Sequence, residues 1–297
     1  LLNVPQADKF LDERITRNCL IICRALGLDD ECHKLLKLGV LCSTNLGFND
    51  FITQHLFYNH ENYNSMLSHA LEVSDAELTD MALALSASCL FHQRNDEVTS
   101  VLKLPLKLVS NILNIDATNL RMLVTGFFEV ALPSDLSLKD FPYLTLDNLV
   151  PFLKEASKQQ LGGINILLHG ISGSGKTELS KLLAKATKST LMLAKAYGNS
   201  QDGREDELTS DSNVPSLRLQ YHGLLQTMLK HEPNSMVLID EGETIFSEFL
   251  HGGKISKERL HEVLTECNVP TIWITNHVDY IPDSCIRRFS YVLEVPN

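Results

Sequence analysis

Residues Gly170-Ile171-Ser172-Gly173-Ser174-Gly175-Lys176-Thr177 place three glycines, a lysine and a hydroxyl at the spacing G-x-x-x-x-G-K-T. Glycines let a backbone curl until successive N–H groups converge on phosphate oxygens. A helix starting directly behind such a loop adds a favourable dipole. In that arrangement Lys176 bridges the β- and γ-phosphates of a nucleoside triphosphate and the Thr177 hydroxyl ligates Mg²⁺. Glu178, the next residue, is counted with the nucleotide-facing group. A Gly-rich turn can match this spacing by accident, so the flanks decide. Asn165-Ile-Leu-Leu-His169 is a buried-strand pattern, and Glu178 to Lys185 is an amphipathic helix pattern, giving strand, loop and helix in the required order.

Two further groups stand at the ends of apolar runs, and a third stands just before one. Met236-Val-Leu-Ile239 ends in Asp240-Glu241, where Asp240 would join the Mg²⁺ shell and Glu241 would polarise an attacking water. Thr271-Ile-Trp-Ile-Thr275 ends at Asn276, whose amide both donates and accepts and so could orient water between Glu241 and a γ-phosphate. Taken alone, an Asn after a strand is a turn residue. Arg287-Arg288 precede the last strand, where they would reach a neighbouring subunit's γ-phosphate in the geometry that favours Arg over Lys. Two such arginines on a surface helix are otherwise simply solvated.

The elements that position these groups follow from periodicity. Residues 146–297 alternate short apolar strands, near 164–169, 189–194, 235–240, 270–275 and 290–295, with helices near 176–187, 215–230 and 255–267, the signature of a parallel α/β sheet. Leu146 to Gln160 reads as a helix leading into Gly162-Gly163. Residues 1–145 read as a helical domain: Phe10, Leu11, Ile15, Leu20, Ile22 and Leu26 recur at helical spacing before a stop at Gly27. Ser74-Asp-Ala-Glu77 is a capping-box pattern. Short helical patterns over 97–104, 106–113 and 119–125, followed by the apolar run Gly126–Leu132, have the order of a winged-helix unit over about 96–132. Such a unit binds DNA or docks protein, and Asp96, Glu97, Asp116 and Glu129 offset Lys103, Lys107 and Arg121 in favour of docking or plain structure. Pro133 to Pro142 reads as the linker. Gly198 to Asn213 is polar and acidic, the composition of a mobile loop.

Composition narrows the class. The net charge is −11, and residues 1–150 alone carry 11 Lys and Arg against 19 Asp and Glu, which argues against nonspecific nucleic-acid binding. No apolar run approaches the roughly 20 residues that span a bilayer. The chain begins Leu1-Leu2 with no basic stretch ahead of an apolar one, so no signal peptide is read and the natural chain is expected to start earlier. The seven cysteines form no C-x-x-C pair. Cys19, Cys23 and Cys32-His33 could be imagined as metal ligands, but Cys19 and Cys23 lie four apart on an apolar helix and read better as core thiols of a cytoplasmic protein.

As a set, over about 162 to 297, the phosphate loop, Asp240-Glu241, Asn276 and Arg287-Arg288 resemble the AAA+ ATPases. Gly163-Ile-Asn-Ile-Leu-Leu168, Gly175-Lys-Thr-Glu-Leu179, Val269-Pro-Thr-Ile-Trp-Ile-Thr-Asn276 and Arg287-Arg-Phe289 look like a group of bacterial AAA ATPases with a helical region ahead of the core. The resemblance implies a five-stranded parallel sheet in the order 5-1-4-3-2, ATP and Mg²⁺ as ligands, a homo-oligomeric (hexameric) ring and an active site between subunits. It implies hydrolysis by Lys176, Thr177, Asp240, Glu241 and Asn276 in cis and Arg287 and Arg288 in trans, coupled to remodelling of a protein client.

Departures from the family pattern qualify this. The family loop Gly-Pro-Pro-Gly-Thr-Gly is Gly-Ile-Ser-Gly-Ser-Gly here, and glycine replaces a small apolar residue at 242. The second strand is followed by no clear aromatic–hydrophobic–Gly pore loop, Tyr197-Gly198 being the nearest. A helical lid with a sensor 2 arginine would follow Val295-Pro-Asn297, so a longer parent protein is expected. The rival readings are an ATP-gated scaffold or signalling switch with little hydrolysis and, less well matched to Asn276 and the arginine pair, a small-molecule kinase.

Overall fold

Alternate residues of the C-terminal strands face opposite sides of one sheet, and both sides are covered. Ile166, Leu168, Met236, Leu238, Ile272 and Ile274 pack on one face, and Leu167, Ile239 and Trp273 on the other. Strands buried on both faces read as continuous apolar runs, which is why their positions were legible in the sequence. The computed structural model describes residues 6–58, 60–88, 90, 98–102, 104–159, 161–194, 214–230, 232, 234–252 and 255–296. The loop expected over Gly198–Asn213, the Tyr197-Gly198 pair and Cys89 lie outside the described residues.

The chain divides into two compact units, Leu1–Thr125 and Gly126–Asn297. The first is helical: α1 (Gln6–Ala25), α2 (Cys32–Thr44), α3 (Leu46–Tyr58), α4 (His60–Leu71), α5 (Asp75–Ala87), α6 (Leu106–Asn114) and the single turn α7 (Leu120–Leu123), with a 3₁₀ segment at Val98–Leu102. Gly27 sits at φ +68° just past α1. Ser74 and Glu77 form the reciprocal capping box at the start of α5. Buried Asn18 donates to the carbonyls of Ile112 (2.9 Å) and Ile115 (2.7 Å), satisfying the end of α6. Cys19, Cys23, Cys32 and Cys42 are buried thiols. Burial pushes Cys19 up to about 12 and Cys32 to about 11, the behaviour of core side chains.

In the second unit β1 (Phe128–Val130) is followed by α8 (Leu149–Gln159), β2 (Asn165–His169), α9 (Lys176–Thr187), β3 (Thr190–Ala194), α10 (Val214–Leu229), β4 (Ser235–Ile239), α11 (Gly242–Leu250), α12 (Lys257–Thr265), β5 (Thr271–Thr275), the short α13 (Asp283–Ile286) and β6 (Tyr291–Glu294). The sheet order is β1-β3-β4-β5-β2-β6. The five strands from β2 onward are parallel, and β1 adds antiparallel to the edge of β3. Helices α8 and α9 cover one face; α10, α11 and α12 cover the other.

Two expectations are corrected here. The sheet has six strands rather than five: β2 to β6 stand in the order β6-β2-β5-β4-β3, and the Gly126–Leu132 run adds β1 antiparallel outside β3. A wing strand for the unit expected over 96–132 is therefore not formed from these residues. The unit boundary also lies ahead of 145/146, since the stretch read as linker is not free. Ala131, Leu138, Phe141, Leu144 and Leu146 bury against the α8/α9 face of the sheet, and removing that apolar surface from water favours the attachment. Helix α11, directly behind Asp240-Glu241, was not anticipated.

A buried polar network ties α10 to β5. Gln226 Nε2 donates to Thr271 Oγ1 (2.8 Å) and the Val269 carbonyl (3.2 Å), while its Oε1 accepts from the backbone N–H of Asn268 and Val269. His222 Nε2 lies 3.2 Å from Thr271 Oγ1. Trp273 donates its indole N–H to Asn165 Oδ1 at 2.7 Å, joining β5 to β2 through a buried bond. These contacts anchor the N-terminal starts of β2 and β5; the site is built on the opposite, C-terminal ends of β2, β4 and β5.

Candidate nucleotide-binding site

The chain leaves β2 at Gly170, whose φ is +142°. A β-carbon there would lie 2.3 Å from the carbonyl oxygen of Val295, which follows β6. No side chain fits, so the loop begins pressed against the end of the neighbouring strand. Gly173 and Gly175 adopt φ +82° and +86°, left-handed conformations that glycine takes without steric cost. Gly175 also packs on Phe141, where a β-carbon would stand 3.0 Å from the ring. The loop Gly170–Gly175 then delivers Lys176 and Thr177 into the first turn of α9.

Lys176 is 5% exposed. Its ammonium donates to the carbonyl oxygens of Gly170 (2.8 Å) and Ile171 (2.7 Å), with Ser174 Oγ at 3.4 Å. Burial lowers its proton affinity, and the charges of Asp240 and Glu243 oppose that shift. Thr177 Oγ1 stands 3.5 Å from Asp240 Oδ2, so the two sequence-assigned Mg²⁺ ligands are brought together from α9 and β4. Ile171 and Ser172 are exposed at the crest of the loop. Glu178 turns to its own surroundings: Lys181 (2.6 Å) and Ser134 hold its carboxyl below the usual range.

Glu241 has φ +51° and ψ +44°, a left-handed conformation uncommon for a residue with a β-carbon. Its carboxylate is engaged by Arg218 of α10, Nη2 to Oε2 at 2.6 Å. Arg218 Nη1 also reaches the carbonyls of Asp240 and Glu241 and Thr244 Oγ1, at 3.1 to 3.3 Å. Asn276, at the end of β5, donates its side-chain amide to Glu243 Oε1 at 3.1 Å rather than to Glu241. Arg287 is exposed and donates to the Asp283 carbonyl at 3.3 Å, while half-buried Arg288 donates to the Ser284 carbonyl. Neither arginine is bonded to the loop of its own chain among the described residues.

Arg218 and Glu243 went unassigned in the sequence. Arg218 had a legible signal: it is the one Lys or Arg in the sixteen residues of α10, otherwise largely apolar, and a half-buried charge needs a partner. Glu243 had a weaker one, as the third acid in Asp240-Glu241-Gly242-Glu243.

A family model, "ATPase family associated with various cellular activities (AAA)", matches residues 166–297. Those residues form an AAA domain. The match spans β2 through β6 and so contains the loop, Asp240-Glu241, Asn276 and the arginine pair. An AAA domain binds nucleotide, and that is the chemistry the loop geometry permits.

Among solved structures, the FIGL-1 AAA domain in complex with ADP is similar at 20% identity and a TM-score of 0.39, over 58% of this chain and 59% of that one. PCH-2 of C. elegans is similar at 20% identity and a TM-score of 0.37, over 55% and 44%. A chain of the E. coli MS115-1 HORMA:CdnC:Trip13 complex is similar at 14% identity and a TM-score of 0.36, over 57% and 68%. The chain thus covers less than two thirds of the first two. No curated protein matches it. Among the described residues no helix is long and apolar enough to cross a membrane.

Proposed function

We propose that this chain binds ATP with Mg²⁺ and hydrolyses it to ADP and phosphate, and that nucleotide turnover drives remodelling of a protein client. The observation carrying the reading is the meeting of Lys176, Thr177 and Asp240 at the mouth of the Gly170–Gly175 loop. In this reading the loop N–H groups bind phosphate oxygens, and a phosphate competes with the Gly170 and Ile171 carbonyls for the Lys176 ammonium. Two hard oxygen ligands, Thr177 Oγ1 and Asp240 Oδ2 at 3.5 Å, suit Mg²⁺. When bound, the ion would neutralise charge across the β- and γ-phosphates. Glu241, once free of Arg218, accepts a proton from the attacking water, and Asn276 orients that water. Arg287 and Arg288 act on the nucleotide of a neighbouring copy in a homo-oligomeric ring. The acidic helical unit, Leu1–Thr125, recruits the client.

Glu241→Gln tests this. The variant is expected to keep its ATP affinity while losing turnover by roughly 10²–10⁴-fold. Turnover equal to that of the unaltered chain would remove Glu241 from the reaction.

One contact favours a second reading, an ATP-gated switch with little hydrolysis. The Arg218 ion pair occupies the carboxylate that hydrolysis requires. In that case ATP binds, turnover stays near background in the unaltered chain, and Glu241→Gln changes nothing measurable in either.

A further inference from the structure

We propose that Glu243 is the positioning residue for Asn276, setting which end of its amide faces the nucleotide; this rests on the hydrolysis reading above. The contact between the two depends on Gly242. A β-carbon on that residue would lie 3.2 Å from the Ile274 carbonyl oxygen and 3.5 Å from the Trp273 ring. Glycine therefore lets the start of α11 sit directly against the C-terminal end of β5. That approach carries Glu243, in the first turn of α11, to Asn276. An acid in a first turn is also favoured by the helix dipole.

The backbone under Asn276 is rigid. All five residues of β5 are buried, paired in register with β2 and β4, and Trp273 is bonded to Asn165. What that rigidity leaves undetermined is the Asn276 side chain, whose amide can be turned either way. A carboxylate only accepts, so Glu243 Oε1 at 3.1 Å selects the NH₂ end. The Asn276 carbonyl oxygen is then the end left to accept from a water O–H. One amide hydrogen remains for a phosphate oxygen.

The other oxygen of Glu243, Oε2, is buried and has no hydrogen-bond partner among the described residues. Glu243 and Asp240 are also the two carboxylates whose charge is felt at Lys176. Glu243 thus faces Asn276, whereas Glu241 is turned to Arg218.

The test joins a spectroscopic and a kinetic measurement on the assembled protein. The Asn276 side-chain NH₂ resonances, identified by their loss in Asn276→Ala, are expected to shift in both Glu243→Gln and Glu243→Ala. In single-turnover hydrolysis with Mg²⁺ and ATP, Glu243→Ala is expected to lose roughly 10–100-fold in rate, the scale of a displaced positioning group. ATP affinity stays within about twofold, because Asn276 works on the water more than on ground-state binding. Glu243→Asp restores part of the loss, and Glu243→Ala/Asn276→Ala is no slower than Asn276→Ala alone. Additive losses, or an Asn276 resonance indifferent to Glu243→Gln, overturn the assignment. Glu243→Gln is near-isosteric and keeps the test valid if the alanine variant does not fold. A shifted resonance in a protein that binds ATP without any turnover supports the contact and overturns the hydrolysis reading instead.

Discussion

Arg218 and Glu241 form an ion pair of 2.6 Å, and the same guanidinium donates to the backbone carbonyls of Asp240 and Glu241. One side chain of α10 therefore holds both the carboxylate and the left-handed turn that presents it. Arg is suited to this by its planar set of five donors. The Arg218 side chain is only 12% exposed, while that of Glu241 is 58% exposed, so the fixed partner is Arg218 and the movable one is Glu241.

Arg218→Met should free Glu241. Basal ATP turnover is expected to rise several-fold, with stability lower by roughly 1–3 kcal/mol as the two carbonyls lose their shared donor. Steady-state turnover and urea denaturation measure the two effects. A fall in turnover at unchanged ATP affinity would mean that Arg218 holds Glu241 in its working position.

Gly170→Ala and Gly173→Ala should separate crowding from backbone strain. Both residues have positive φ, but only Gly170 faces an atom, Val295 O at 2.3 Å, while Gly173 faces open space. Gly173→Ala is expected to cost about 1–2 kcal/mol from the left-handed conformation alone. Gly170→Ala should cost clearly more and abolish ATP binding, because β6 or the loop must move. Equal losses in the two variants would contradict this account.

Acid should weaken the fold through His222. Burial, with a smaller push from the Arg259 charge, brings its imidazole down to about 3. The folded state keeps it neutral, while the unfolded chain protonates it near pH 6.5. Between those values the unfolded state binds the extra proton, so stability falls as pH drops below about 6.5. The slope approaches about 1.4 kcal/mol per pH unit before carboxylates add theirs. His222→Asn should lack this component in denaturation curves taken from pH 7.5 to 5; identical slopes would locate the proton elsewhere.

Sharing of the site between subunits predicts complementation. Subunits carrying Arg287→Ala and Arg288→Ala, mixed with Lys176→Ala subunits, should regain part of the turnover that each alone lacks. An arginine donated across an interface is worth roughly 10³–10⁵ in rate, so even sparse productive interfaces are detectable. Absence of rescue at every mixing ratio would place the arginines outside the reaction.

Local chemistry made much of this domain readable. The phosphate loop, the strands that end at Asp240 and Asn276, the capping box at Ser74 and the helix behind Lys176 depend on nearest-neighbour spacing and apolar periodicity, and these are carried by the order of residues. The family follows from the same local runs. Contacts between elements far apart in the chain were not readable. Phe128–Val130 joined the far edge of the sheet because its partner, β3, lies more than sixty residues away. The linker residues around Phe141 were committed to the core by a surface that exists only once α8 and α9 cover the sheet. Arg218 finds Glu241, and Asn276 finds Glu243, across 23 and 33 residues. The order of residues thus determined which groups are candidates for the chemistry, whereas packing of α10 and α11 on β4 and β5 decided which of them touch.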